Sequence, residues 1–548
     1  MAAVSVLSLA ACGGGDRPEV TISVINFDGG VGSTWLEDAV GRFQTKMETK
    51  VYPNGKTGVY VDWKPDMNVS TAAMATSGYN IYFVEGQVNV YTYAQERKLA
   101  CVNDIMEYTA EGESRTIGDK VEDGFKTMLK GEDGNYYALP HYEWMPGMSY
   151  DLDLFESGKY FFAKPNATSP RSPKDKTYGD IKFANDLTEK SCGPDGEYGT
   201  TDDGLPSSLQ ELFVLCSELK STGCTPIVLA GGHKAYSSYL VEGLWASLSG
   251  FENARANFTF SSDAFDVVDG YKKDTQLFQG VNGIEEPIVK TIEMTESEAN
   301  LTYDAAARYY ATAAVKTLTD KGWITTFSPN LSHTGAQEKF IFGGSGANPK
   351  IGMIIEGSYW WNESDIYGTF DLYKESYPNK PDRRFRFMSL PTQVNGSVTE
   401  GNGKAPAFFD CGNSYCLLNA NIDDKSVMEA CKDFLKFLYS DEELRLFTLS
   451  TGCARNLKYD LTDAQKLTLN DYRSHLWNLR GLYGANVVYA GAQNDTFLEN
   501  RNNLRMELIN SVFTPKIGEA TYDNYYSAFT TDATITARDI FEITKKSR

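Results

Sequence analysis

The chain has 548 residues, 41% hydrophobic and 23% charged, enough to build large cores and too many for one ordinary domain, so at least two lobes are expected. Acidic residues outnumber basic ones 73 to 52, and the net charge of −21 repels phosphate, which argues against a nucleic-acid partner. Aromatics reach 13%, with 33 Tyr and 8 Trp beside 4 His, a bias that suits stacking on sugar faces and also plain core packing.

The first segment, MAAVSVLSLAA from Met1 to Ala11, is a short apolar run that ends in small residues before Cys12 and a glycine tether, as a secretory leader does. Leu9-Ala10-Ala11-Cys12 is similar to a bacterial lipobox. That likeness implies cleavage before Cys12, lipidation of the cysteine and a soluble body tethered to the outer face of the cytoplasmic membrane. Positive charge ahead of the run is missing. No other apolar run approaches the ~20 residues of a spanning helix. Eight further cysteines, at 101, 192, 216, 224, 411, 416, 431 and 453, show no zinc spacing. In an exported chain they fit disulfides, with roughly 105 possible pairings, or buried free thiols.

EVTISVINFDGG alternates as a strand and stops at a glycine loop, after which STWLEDAVGRFQTKM opens with an N-cap pair and runs at helical spacing. The same strand, loop and helix order returns in YNIYFVEG with VNVYTYAQERKLA, in TPIVLAGG with SYLVEGLWASLSG, and in IGMIIEG with SYWW. This alternation predicts an α/β architecture with mainly parallel sheets and ligand crevices at the carboxyl ends of the strands. Residues 156–206 and 250–300 are polar with little periodicity and read as inserted surface elaborations. KSVMEACKDFLKFLYSDEELRLFTLSTG and TFLENRNNLRMELINSVF repeat apolar residues every three or four positions and are predicted helices.

GPDGEYGTTDDG, residues 193–204, gathers Asp195, Glu197, Asp202 and Asp203 among glycines. Oxygen ligands on a tightly turning backbone predict either a structural Ca²⁺ or a solvated acidic turn, and the EF-hand spacing is absent. H-E-x-x-H, G-x-S-x-G and Walker A patterns are absent, and GGVGST near residue 30 lacks the phosphate-holding lysine. Glycoside hydrolysis needs only two carboxylates, so an acid-rich chain leaves that chemistry open as an alternative.

Four stretches in order, GNYYALPHYEWMPGMSYDLDLF (134–155), IGMIIEGSYWWNESD (351–365), FMSLPT (387–392) and FLKFLYSDEELRLFTLSTGCARN (434–456), resemble family 1 extracellular solute-binding proteins of ABC importers, the group that includes maltose-binding proteins. The likeness spans most of residues 20–515. It implies the two-lobe periplasmic-binding-protein fold of type II, with a ligand cleft between lobes joined by hinges near Pro140, Pro391 and Arg455. Lobe 1 would be 18–139 plus 392–455, and lobe 2 would be 140–391 plus 456–548, behind a 1–17 tether. The implied function is a monomeric lipoprotein that captures a carbohydrate, an oligosaccharide above all, and delivers it to permease subunits without catalysis or a cofactor. A peptide or other solute is the alternative within binding proteins.

The resemblance also implies a set of cleft residues. They are Asp28 and Trp35 after the first strand, with Phe27 beside them; Glu85, Gln87 and Asn89 after YNIYFV; Tyr142, Glu143 and Trp144 in the first hinge; and Tyr236, with His233 and Lys234, after TPIVLAGG. Tyr359 and Trp361 match the two rings that many sugar binders write as G-x-W-x-W, with Trp360 between them. Glu85, Gln87 and Asn89 replace the more charged cluster of maltose binders. Independently of the family, a pyranose has C–H faces that pack on rings and hydroxyls that demand Asp, Glu, Asn or Gln. Adjacent residues cannot all point one way, so at most two of the rings 359–361 are expected in the cleft.

Overall fold

The computed structural model describes residues 18–490 apart from 72, 73, 75, 77, 87, 179, 412, 413, 484 and 485, together with 516–517, 520–521 and 524–546. Cys12, Gln87 and the helix expected over 496–513 lie outside these residues.

The strands in chain order are β1 (Val20–Phe27), β2 (Val59–Asp66), β3 (Ile81–Val84), β4 (Ala138–Pro140), β5 (Pro146–Asp151), β6 (Thr225–Val228) and β7 (Ser262–Gln276). They continue with β8 (Glu285–Met294), β9 (Ile324–Thr325), β10 (Ile351–Gly357), β11 (Phe385–Phe387), β12 (Phe408–Asp410), β13 (Tyr415–Leu418) and β14 (Val487–Tyr489). Two five-stranded sheets organise two lobes, the first in the order β2-β1-β3-β13-β4 and the second in the order β11-β5-β10-β6-β9. Strands β3 and β10 are buried along their whole length, as expected for runs covered on both faces.

Each sheet is mixed rather than simply parallel. In the first, β13 runs against β3 and β4; in the second, β5 runs against β10 and β11. The reason lies in the connections. Strand β5 follows β4 through only residues 141–145, and its first residue, Pro146, pairs with Gly357, the last of β10. Likewise the first residue of β13, Tyr415, pairs with Val84 and Pro140, the last residues of β3 and β4. A strand that arrives from the other lobe begins where its neighbours end, so it must run backwards. The carboxyl ends of the remaining strands of both sheets therefore point at the space the crossings traverse.

The crossings differ from the sequence expectation in detail. Residues 393–403 stay on the second lobe, where the Gln393 carbonyl accepts from Leu209 N at 3.0 Å and Gly403 lies against Gly196. The return to the first sheet thus falls after 403 and not at 392. At the third crossing, Leu457 bridges Val121 and Lys458 N donates to the Lys120 carbonyl, so the chain remains on the first lobe past Arg455. The helix Asp471–Tyr483 then packs on β11 of the second lobe.

The polar stretch 250–300 is also more than surface. It contains the end of the helix Ser237–Thr259 and the β7–β8 hairpin, whose strand β7 buries Phe265, Val267 and Val268 and packs on helices Ser237–Thr259 and Ala306–Asp320, while Phe278 beyond it meets Phe213 of the helix Leu209–Ser221 edge-on at 4.9 Å. Alternation along a twisted hairpin supplies one apolar face even where mean polarity is high. The 156–206 segment likewise buries Phe161, Phe162 and Phe183 under a largely irregular backbone. The eight described cysteines form no disulfide with one another, and six of them are buried.

Candidate functional site

The loop after β1 is shaped by a buried asparagine. Asn26 Nδ2 donates to the carbonyls of Phe27 and Gly32 and to Ser33 Oγ, and Ser33 in turn donates to Asp28. This network turns Gly30 and Gly32 into positive φ, +59° and +65°, which glycine adopts without the penalty of a Cβ. The bare backbone then admits the second lobe. A Cβ on Gly30 would lie 2.8 Å from Tyr142 Oη and 3.7 Å from Tyr359 Cγ, and one on Gly32 would lie 2.5 Å from Ile366 Cδ1. Asn362 Nδ2 donates to the Gly30 carbonyl at 3.3 Å. The lobes are closed on one another.

The first crossing, His141 to Met145, is extended, so its side chains alternate. Tyr142 and Trp144 face the cleft. The Tyr142 hydroxyl donates to Glu85, just past the end of β3, and the Trp144 ring meets Tyr359 edge-on at 5.3 Å and Tyr239 at 5.2 Å. His141 and Glu143 face the other way. His141 packs against Trp35 at 5.3 Å, and its ring and carbonyl both receive Arg455, while Glu143 lies 3.6 Å from Arg480. Burial raises the Glu143 carboxyl to about 7 although Arg480 pulls it down.

From the second lobe, the helix Ser237–Thr259 and the short turn before it present Tyr236 and Tyr239, stacked at 4.6 Å. Strand β10 carries Glu356 as its last residue but one, and the helix Trp360–Ile366 follows with Tyr359 at its N-cap. Positions 359, 362, 363 and 366 share one helical face, which is the cleft face. Gln337 Nε2 binds Glu363 at 2.7 Å and Glu356 at 3.2 Å, and His333 Nε2 lies 3.6 Å from Glu363 Oε1.

Desolvation in the closed cleft raises Glu85 to about 7, against the pull of its Tyr142 hydrogen bond, and the field of Glu363 adds to the rise. Burial and Glu363 together hold Glu356 well above the usual carboxylate range. Tyr142, Tyr236, Tyr239 and Tyr359 are all raised well above ordinary phenol, first by burial and then by these carboxylates or by neighbouring phenols.

Of the residues singled out in the sequence, Glu85, Tyr142, Trp144, Tyr236 and Tyr359 come together around this space. Others do not. Trp35 is 3% exposed inside the first lobe, with its indole N–H on the Gly32 carbonyl and its ring against Phe83, Phe447 and Arg455. Trp360 is fully buried in the second lobe, where its indole donates to Ser149 Oγ at 2.8 Å and its ring packs on Phe340 and Phe385. Trp361 is half-buried between Phe370 and Tyr472 with Arg473 over its face. Helical geometry is the reason: 360 and 361 turn about 100° and 200° away from 359. Asn89 caps the helix Val90–Gln95 by accepting from Thr92 N, Asp28 accepts from Ser33, and Glu143 is committed to Arg480 behind the crossing. His233 is exposed and lies 5.9 Å from Tyr236.

The acidic loop 193–204 turns its carboxylates onto itself. Asp202 accepts from Asp195 N and Thr200 Oγ1, Asp203 from Gly199 N and Thr200 N, and Asp195 from Glu197 N. Among the described residues no group of three or more His, Cys, Asp or Glu is arranged to hold a metal ion. Among the same residues no helix is long and apolar enough to cross a membrane.

Sequence reasoning missed Glu356, Glu363, Gln337 and Tyr239. A signal existed for Glu356, since a lone acid next to the end of the apolar strand IGMIIEG sits where a crevice opens, and for Tyr239, three residues after Tyr236 at the start of a helix.

No family model matches the chain, and no curated protein matches it. Solved structures do resemble it. A chitin oligosaccharide binding protein is 16% identical with a TM-score of 0.54, covering 97% of this chain and 98% of that one. The apo form of RafE from Streptococcus pneumoniae is 11% identical with a TM-score of 0.52 over 97% and 98%, and RafE in complex with raffinose is 12% identical with a TM-score of 0.51 over 96% and 99%. At these identities the likeness establishes the fold: an α/β molecule of two lobes with a cleft between them.

Proposed function

We propose that this protein is an extracytoplasmic solute-binding lipoprotein that captures a carbohydrate, an oligosaccharide above all, and hands it to the permease of an ABC importer. The observation that carries the reading is the meeting of Tyr142, Trp144 and Glu85 from the crossing and first lobe with Tyr236, Tyr239, Tyr359, Glu356 and Glu363 from the second, at the carboxyl ends of both sheets. Rings that pack on C–H faces, flanked by strong acceptors, are what a pyranose requires. A guest that touches both walls favours the closed arrangement by its differential affinity for it, which couples capture to shape. The shared fold of sugar-binding proteins supports the reading. The lipobox-like LAAC supports attachment through Cys12. The reading has the protein act as a monomer and leave its ligand unchanged.

One observation favours a second reading. Glu85, raised to about 7 chiefly by burial, feels Glu363 of the second lobe across the cleft, and two acids from opposite walls are the groups that a glycoside hydrolase uses. A thermal-shift screen of the chain against a glycan panel separates the two, because a ligand bound only by the native form raises the melting temperature. The binding reading expects a saturable shift with an oligosaccharide recovered intact after long incubation. Released reducing ends establish the hydrolase, and a panel without any shift overturns both.

A further inference from the structure

The lobes also grip one another away from the rings. The helix Asp471–Tyr483 is fastened to the second lobe along one face: the Tyr472 hydroxyl donates to the Ser358 carbonyl at 3.0 Å, His475 Nε2 lies 2.8 Å from the Phe387 carbonyl, and Leu476 and Leu479 are buried. Arg473 leaves that face and reaches the first lobe. Its Nη1 donates to the Leu449 carbonyl at 3.2 Å, and a Cβ on Gly452 would lie 2.7 Å from Arg473 Cγ. Leu449 belongs to the last turn of the helix Asp441–Thr451, where carbonyls lack partners within the helix; the amide four residues on, Cys453 N, donates to Thr451 Oγ1 instead. A guanidinium suits that position, because the helix dipole is negative at its C-terminal end.

The same guanidinium acts on a second contact. Arg473 Nη2 donates at 2.8 Å to Asn362 Oδ1, and Asn362 Nδ2 donates at 3.3 Å to the Gly30 carbonyl of the first lobe. A guanidinium has only protons to offer, so it takes the amide oxygen and leaves the NH2 aimed across the cleft. The Trp361 ring beneath Arg473 at 5.1 Å and Asp365 at 3.5 Å hold it in place. One second-lobe pair thus holds two first-lobe carbonyls, and neither bond uses a group on the ring-lined walls.

We propose that Arg473 and Asn362 form a latch that favours the closed arrangement of the free protein, with Arg473 as the positioning residue for the Asn362 amide. Both side chains travel with the second lobe, so opening parts both carbonyls from them at once. A guest then adds to a closed population that already exists. The latch does not depend on which guest the cleft takes.

Asn362→Asp distinguishes a latch from a merely structural residue. At pH 7 the new carboxylate, kept ionised by Arg473, preserves the pair inside the second lobe and turns an oxygen without a proton toward the Gly30 carbonyl. Solution X-ray scattering of the ligand-free full chain, taken across its size-exclusion peak, reads the arrangement, and a melting curve shows that the variant is folded. The radius of gyration is expected to rise above that of the wild type. Arg473→Gln, which gives up the Leu449 carbonyl and frees the Asn362 amide to turn, should produce the same rise and supplies the readout should the first variant not fold. A radius equal to that of the wild type in either folded variant overturns the latch, whether or not the melting temperature falls.

Discussion

The Trp144 indole touches Tyr239 and Tyr359 of the second lobe and lies by Glu85 of the first, so removing it strips the cleft of its central platform. Trp144→Ala should weaken saccharide binding by about 1–3 kcal/mol, as loss of a desolvated aromatic anchor does, with fluorescence or calorimetric titration as the check. Trp361 is a different case. Its ring lies parallel to Phe370 at 4.6 Å and beneath Arg473, away from Trp144. Trp361→Ala should lower the melting temperature, by a destabilisation of about 1–3 kcal/mol, and leave affinity unchanged. The reverse pattern, affinity lost with Trp361 and kept with Trp144, would mean that the guest lies on the other side of the helix Trp360–Ile366. The sequence made Tyr359, Trp360 and Trp361 legible as a cluster at a strand's carboxyl end. It could not say which ring faces the ligand, because the phase of a helix is set by where its first turn begins relative to the preceding strand.

The contact between the glycine loop after β1 and the helix Trp360–Ile366 is the element-level device that defines closure. Tyr359, Asn362 and Ile366 from one face of that helix meet Gly30 and Gly32, whose positive φ and missing side chains leave room for them. Gly30→Ala places a Cβ 2.8 Å from the Tyr142 hydroxyl, which must then leave Glu85, and adds about 1–2 kcal/mol of left-handed strain. Strain alone lowers the melting temperature of the free protein without touching affinity. Loss of the closed contact lowers affinity as well, and roughly a tenfold rise in Kd is expected. An unchanged Kd beside a lowered melting temperature would show that the loop does not take part in closure. The alternation of strand, loop and helix, and the placement of a crevice at strand ends, could be read from FDGG, FVEG, LAGG and IIEG. The reversed strands β5 and β13 could not, since PGMSYD and YCLL carry no mark of direction; it comes from the lobe each is entered from.

At the scale of the molecule, the buried acids and histidines set opposite trends of stability with pH. Burial raises Glu85, Glu143 and Glu211 to about 7 and Glu242 to about 8, above the unfolded carboxylate value. Between the two values the native state holds more protons than the unfolded one, so their contribution, complete below about pH 4.5, is lost as pH rises through 7 to 8. His475, depressed by burial to about 4, and His141, also depressed, act the other way. The unfolded imidazoles bind protons first as pH falls below about 6.5, so that contribution disappears on acidification. The two trends place maximal stability at mildly acidic pH. The melting temperature of the ligand-free protein should fall on going from pH 6 to pH 8. Glu242 isolates the effect, because it is 4% exposed within the helix Ser237–Thr259 and the Cys411 thiol is the side chain that eases its ionisation. Glu242→Gln should raise the melting temperature at pH 8, leave it nearly unchanged at pH 5, and so flatten the profile. Calorimetric scans across pH 5 to 8 check this. A wild-type melting temperature that climbs toward pH 8, or a Gln variant that tracks the wild type throughout, would show that these carboxyls ionise in the fold as readily as in water.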